Sequence, residues 1–293
     1  MARVIVSLTT TAARAPIAQY TVLSLLHQEP PADVVRLNLS REPYLQDDGL
    51  REAPAWLCQP PFDRVDVHWV PNTGPYRKLL PTIVDATHDD LVVTTDDDVI
   101  YQPAWLRSLI ETAERHPDKV VCGRAVRMTT NALGRTTSYL HFRKVGGDDV
   151  VGHDLLPTGI SGVVYRRRLL DLDFLLSERF RELAPTQDDI WFRFASLRQG
   201  VPVVIDQRAR KLTNNIATRA SLYDVNVHGA PSARRRSGPA TRIGRHIIQL
   251  ALGYLGAPVV PNDFALRRVR AYSDSLPLSG THHESSRQHR RER

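Results

Sequence analysis

Cysteine, methionine and lysine are scarce in this 293-residue sequence, with two, two and four copies. Two cysteines, Cys58 and Cys122, are too few for a disulfide framework or a cysteine metal cluster. Long hydrophobic runs are missing as well. No stretch approaches the roughly 18 apolar residues that a membrane-spanning helix needs. The opening MARVIVSLTT breaks its apolar run after five residues, too soon for the core of a signal peptide. A soluble cytoplasmic protein is therefore the expectation. Glycine is also missing where a phosphate loop would need it. The segment LTTTAARAP after the first apolar run contains none, which counts against a P-loop NTPase and a nucleotidyltransferase.

What is present is ordinary in bulk and uneven in distribution. Apolar residues make up 42% and charged residues 24%, values of a globular protein with a real core. The length suits one large α/β domain or two small ones. The net charge of +7 is not shared evenly. Residues 1–230 hold 27 basic and 28 acidic side chains, whereas residues 231–293 hold 12 arginines and 4 acids, a balance of +8. The basic character thus belongs to the C-terminal stretch. That stretch is poor in aromatics and has no nucleic-acid-binding motif, so no nucleic-acid partner is expected. The division expected is a catalytic domain over residues 1–228 and a basic extension over 229–293 with an amphipathic helix and a disordered tail, entered through the linker-like GAPSARRRSGPA (229–240).

Periodicity supplies the architecture. The apolar runs at 3–8, 34–40, 65–70, 91–95 and 119–128 read as strands, several of them buried on both faces. Helical spacing recurs at 15–28 and 103–117, each with a proline suited to a first turn, and at 76–87 and 187–200. Residues 136–145 read as an antiparallel strand and 201–206 as a further strand. Strands alternating with helices predict an α/β, Rossmann-like doubly wound sheet, with its ligand beyond the carboxyl ends of the strands.

Three features can carry chemistry. Asp96, Asp97 and Asp98 follow directly on the buried run LVVTT, where adjacent like charges repel unless something compensates them. Such a cluster either caps the next helix or holds a hard cation against a diphosphate. Asp188 and Asp189 stand before an amphipathic helix, as N-terminal caps or as a general base. Lys78 in GPYRKLLP is either a solvated side chain or a phosphate contact.

A fourth segment, ATRIGRHIIQLALGYLG (240–256), sorts Arg242, Arg245, His246, Gln249 and Gly253 onto one helical face, and Ile243, Ile247, Leu250, Ala251 and Tyr254 largely onto the other. It can pack on the catalytic body or lie at an anionic membrane surface.

In order, VIVSLTTTAAR, LLHQEPPADVVRLNLS, YRKLLPTI, DDLVVTTDDDVIYQPAWL and PTQDDIWFRFA resemble the nucleotide-sugar glycosyltransferases of GT-A type, in the family 2-like group of bacterial enzymes. The resemblance covers roughly residues 3–228. It implies a GT-A mixed sheet with helices on both faces, a UDP-sugar or related donor, a divalent cation (Mn²⁺ or Mg²⁺), and a saccharide acceptor, free or lipid-linked, in polysaccharide or glycolipid synthesis. It places Asp96 and Asp97 with Thr9, Arg14 and Lys78 on the nucleotide side. Asp98 becomes a metal ligand together with Asp96, and His228 a further one. Asp189 becomes the catalytic base of an inverting transfer, and Asp188 can exchange roles with it. Gly159 and Gly162 of TGISG would lie near the donor sugar and acceptor. The remaining readings are a nucleotidyltransferase and a non-catalytic scaffold of the same fold.

Overall fold

A strand buried on both faces must offer apolar side chains alternately to two cores. The computed structural model, which describes residues 2–216 and 248–277, is built on this arrangement. Four strands open the fold: β1 (Val4–Thr9), β2 (Val34–Leu39), β3 (Asp66–Trp69) and β4 (Leu91–Thr94). The short strands that follow are β5 (Val99–Tyr101), β6 (Val120–Cys122), β7 (Ala125–Arg127), β8 (Arg143–Lys144), β9 (Val150–Gly152), β10 (Leu155–Pro157), β11 (Val163–Tyr165), β12 (Val203–Ile205) and β13 (Thr213–Asn215). Eight of them form the central sheet in the order β3-β2-β1-β4-β11-β6-β12-β9. Pairing is parallel from β3 to β4 and antiparallel on both sides of β11, so the sheet is mixed.

Helices cover both faces. On one side lie α1 (Ala15–Leu26) and α3 (Trp105–Arg115), packed with Leu91 and Val93 of β4, Val121 of β6 and Val204 of β12. On the other lie α2 (Leu80–Asp85), α4 (Leu172–Leu175), α5 (Phe180–Leu183) and α6 (Asp188–Leu197), packed with Val92, Val120, Cys122, Val203 and Ile205. Neighbouring residues of one strand thus enter opposite cores, and the expected α/β doubly wound class holds.

Several boundaries differ from the sequence reading. The apolar run 119–128 is two strands, because the chain turns at Gly123 and Arg124 and β7 leaves for a second, three-stranded sheet with β8 and β10. A Cβ on Gly123 would lie 2.6 Å from Ser161 O, which accounts for glycine at that corner. The expected helix at 76–87 is a 3-10 turn over Gly74–Lys78 followed by α2, with Pro81 in the first turn of the latter. The expected strand at 136–145 is a 3-10 turn plus the two residues of β8.

The last described element, after α7 (Gln207–Lys211), is α8 (Pro261–Ser275). Asp263 fastens its start by accepting from Val259 N (2.9 Å), Val260 N (3.1 Å), Tyr139 N (2.6 Å) and Ser138 Oγ (2.6 Å). Its apolar side, Ala265, Leu266 and Val269, is buried in the same core as α6. Tyr272 stacks on Trp191 of α6 with ring centroids 6.0 Å apart. The boundary expected at 228/229 falls outside the described residues, but this part of the basic extension shares the core of the preceding fold. Of the expected 240–256 helix, residues 248–254 are described and helical. Gly253, expected on a polar outer face, is instead pressed against Ser138, because only a residue without a side chain fits there. No helix among the described residues is long and apolar enough to cross a membrane.

Candidate active site

The sheet order reverses between β1 and β4, whose neighbours run outward in opposite directions, and the loops leaving these two strands meet there. From the loop after β1, Thr10 Oγ1 donates to Asp97 Oδ2 at 2.6 Å. Arg14, at the start of α1, binds Asp97 Oδ1 at 2.5 Å and Asp98 Oδ2 at 2.9 Å. Burial opposes the Arg14 charge, but the two carboxylates outweigh it and hold its pKa above the usual value. For Asp98 the balance is reversed: burial pushes its carboxyl above the ordinary range despite Arg14. The repulsion within the aspartate triplet is thus met by a fixed guanidinium and a hydroxyl.

Asp96 points the other way, to Lys78. Residues 74–78 form a turn wedged beneath the sheet, where Tyr76 stacks on Phe180 at 4.2 Å and donates its hydroxyl to Ala184 O at 2.5 Å. That anchoring leaves Lys78 buried, with Nζ 3.0 Å from Asp96 Oδ1 and 2.8 Å from Asp188 Oδ2. Desolvation disfavours the ammonium, but Asp188 and Asp96 more than compensate, and its pKa lies well above the usual lysine value. Next to it, Asp189 Oδ2 accepts from Gly159 N at 3.3 Å. Burial, reinforced by Asp188 and opposed by Lys78, pushes the Asp189 pKa up to about 7. A carboxylate poised there can take a proton near neutral pH.

The acids at the start of α6 do not act as caps: the N-cap is Gln187 and makes no side-chain cap bond. Asp188 and Asp189 instead turn their carboxylates into the site, which the positive end of the helix favours. Gly159 is required by close approach, since a Cβ there would lie 2.8 Å from Asp96 Oδ1 and 2.9 Å from Lys78 Nζ. Gly162 has a different role. Its φ is +84° and a Cβ would lie 2.4 Å from the Trp105 ring, so it serves packing.

Lys78, Asp96, Asp188, Asp189 and Gly159 therefore form one cluster, beside Arg14, Asp97 and Asp98. Thr9 stands apart, its hydroxyl donating to Asn38 O at 2.8 Å on the neighbouring strand. His228 lies outside the described residues. The sequence reading passed over Thr10 and the buried Arg77–Asp47 pair, 2.7 Å apart. Asp47 also accepts from Ala12 N and from the Asn72 side chain, tying the loops that follow β1, β2 and β3 together. Their only sequence signal was Arg77 beside Lys78, a pairing usual on solvated surfaces. Among the described residues no group of three or more His, Cys, Asp or Glu is arranged to hold a metal ion. Asp96 and Asp98 each commit one oxygen to a basic side chain in the contacts above. Carboxylate oxygens are the ligand type a hard cation takes.

Over residues 62–173 the chain matches the family model described as glycosyl transferase family 2. The matched segment runs from before β3 to the start of α4, so it includes Lys78, the aspartate triplet and Gly159 and stops short of Asp188 and Asp189. A crystal structure of 4-diphosphocytidyl-2C-methyl-D-erythritol synthase is similar at a TM-score of 0.43 and 16% identity, over 77% of this chain and 98% of that one. The crystal structure of S. aureus TarS is similar at a TM-score of 0.47 and 14% identity, over 87% of this chain and 44% of that one. No curated protein matches the chain.

Proposed function

We propose that this protein is a cytoplasmic glycosyltransferase of GT-A type that moves a sugar from a nucleotide-diphosphate donor, UDP-linked in the first instance, to a saccharide hydroxyl with inversion, for cell-surface polysaccharide or glycolipid. The observation that carries this reading is the buried Lys78 ammonium held between Asp96 at the end of β4 and Asp188 at the start of α6. It joins the expected donor side to the expected base in one cluster. The family match over residues 62–173 supports the reaction class.

In this reading Asp189 accepts the proton of the acceptor hydroxyl. The hydroxyl oxygen forms a bond to the anomeric carbon while the bond from that carbon to the donor's phosphate oxygen breaks. Attack from the side opposite the leaving group inverts the centre, and no covalent intermediate on the protein is needed. Gly159 N orients Asp189, and burial, Asp188 and Lys78 set its basicity. Arg14 and Lys78 bring positive charge to the side on which negative charge grows, where fixed charges in a partly desolvated site are most effective. Asp98 and Asp96 would hold a divalent cation, whose chemistry there is neutralisation of the leaving diphosphate.

The test is thermal stabilisation by UDP with and without Mn²⁺, followed by donor turnover. Asp98→Asn is expected to lose the Mn²⁺-dependent part of the UDP shift and keep the unliganded melting temperature within a few degrees. Unchanged Mn²⁺ dependence in that variant removes Asp98 from the metal site. No UDP, GDP or dTDP shift in the parent protein removes the donor assignment itself.

A further inference from the structure

Away from the aspartates, apolar side chains gather at a surface where two segments of the chain meet. The 248–254 helix is joined to the 130–141 segment by three bonds: Ser138 N donates to Gly253 O (2.9 Å), Asn131 Nδ2 to Tyr254 O (3.0 Å) and the His141 ring to Leu250 O (2.8 Å). With Gly253 turned inward against Ser138, the opposite side of this helix faces solvent. Ile248, Leu252, Tyr254 and Leu255 are 45–60% exposed, and Leu133, at the tip of the adjoining turn, is 74% exposed. Clustered exposure of this kind on a soluble body marks an interaction surface.

Arginines border it. Arg135 sits next to the exposed leucine turn and packs against Gly256, and Arg267 of α8 donates to Gly256 O. Arg270 holds Thr136 Oγ1 at 2.7 Å. Asp263, the acid at the start of α8, is buried and already shared among four donors. In sequence, residues 234–245 lead into the helix with five arginines and no acid. Apolar side chains flanked by arginine are the composition of an interfacial element that buries its apolar side among acyl chains and its cations among anionic headgroups. A second copy would set the same arginines against one another, an unfavourable pairing.

We propose that the 248–255 helix face and the 131–135 turn seat this protein on an anionic lipid bilayer. The contact uses none of the residues assigned to transfer, so it stands or falls separately from the reaction. Its physical consequence is that donor chemistry in the cytoplasm is held within reach of acceptors that are themselves anchored in lipid.

The experiment is co-sedimentation of the full chain with phosphatidylglycerol–phosphatidylcholine vesicles and with phosphatidylcholine vesicles alone. Binding is expected to the anionic vesicles only, and to fall at about 0.5 M salt, where the screening length shrinks to a few ångströms. Leu252→Glu/Leu255→Glu is expected to reduce binding at least about tenfold, and Leu133→Glu, on the other segment, to reduce it independently. Both variants alter exposed positions and are expected to keep the parent melting temperature and donor turnover. Failure of the parent protein to bind anionic vesicles overturns the proposal, as does equal binding by the double variant. A parent dimer that the double variant turns into monomers, with no vesicle binding by either, assigns the surface to a second copy and overturns it too.

Discussion

At the scale of single residues, the site is a set of charges that pay for one another's burial. Asp189 is the exception, since burial and the neighbouring Asp188 push its pKa up to about 7 against the opposing pull of Lys78 and Gly159 N. As a base it must be ionised, so kcat/KM should climb as pH rises from about 6 to 8 and then level off. The same shift acts on stability. The unfolded carboxyl titrates near 4, so between about pH 4 and 7 the unfolded chain releases a proton that the folded one keeps, and stability falls as pH rises through that window. Asp189→Asn should therefore lower transfer by about 10²-fold or more while melting at or above the parent temperature at pH 8, an advantage that vanishes near pH 4. Transfer unchanged in that variant, with Asp188→Asn inactive, would move the base by one residue. The sequence made Lys78, Asp96, Asp188 and Asp189 legible as separate clues. It could not reveal that Lys78 joins them, because the ion pairs span 18 and 110 positions of chain.

At the scale of elements, periodicity located β1 to β4, α1, α3 and α6, because each carries an apolar stripe long enough to display its period. It failed at short elements with no clear apolar run of their own, as in β8, α4 and α5, or where the chain turns inside an apolar run, as at Gly123. It also passed over α8, although Pro261, Asp263 and the spacing of Ala265, Leu266, Val269 and Tyr272 are ordinary helix signals. The arginines around them disguised the stripe as tail. The TGISG turn separates two functions that look alike in sequence. Gly162→Ala should destabilise by about 2–4 kcal/mol, since it combines a left-handed φ with a clash against Trp105. Gly159→Ala meets only the ends of Asp96 and Lys78, which can shift, so it should impair transfer with little change in melting temperature. Parallel denaturation and turnover measurements separate the two, and equal loss of stability in both refutes the distinction.

At the scale of the whole molecule, the neutral body and the basic C-terminal stretch are not independent. Burying Leu266 and Val269 alone contributes about 3–6 kcal/mol, a large share of what holds any domain of this size folded. A chain ending at Gly229 should melt well below the full protein and lose transfer, with an early change in tryptophan fluorescence as Trp191 is uncovered. An unchanged melting curve would show α8 to be dispensable. The position of α8 against α6 also bears on the order in which the protein is made. Strands and aspartates leave the ribosome first and can begin to assemble, yet the outer wall of α6 arrives only with residues 261–275. Until then a nascent chain presents Trp191 and its neighbours to the cell uncovered, a window for chaperone capture.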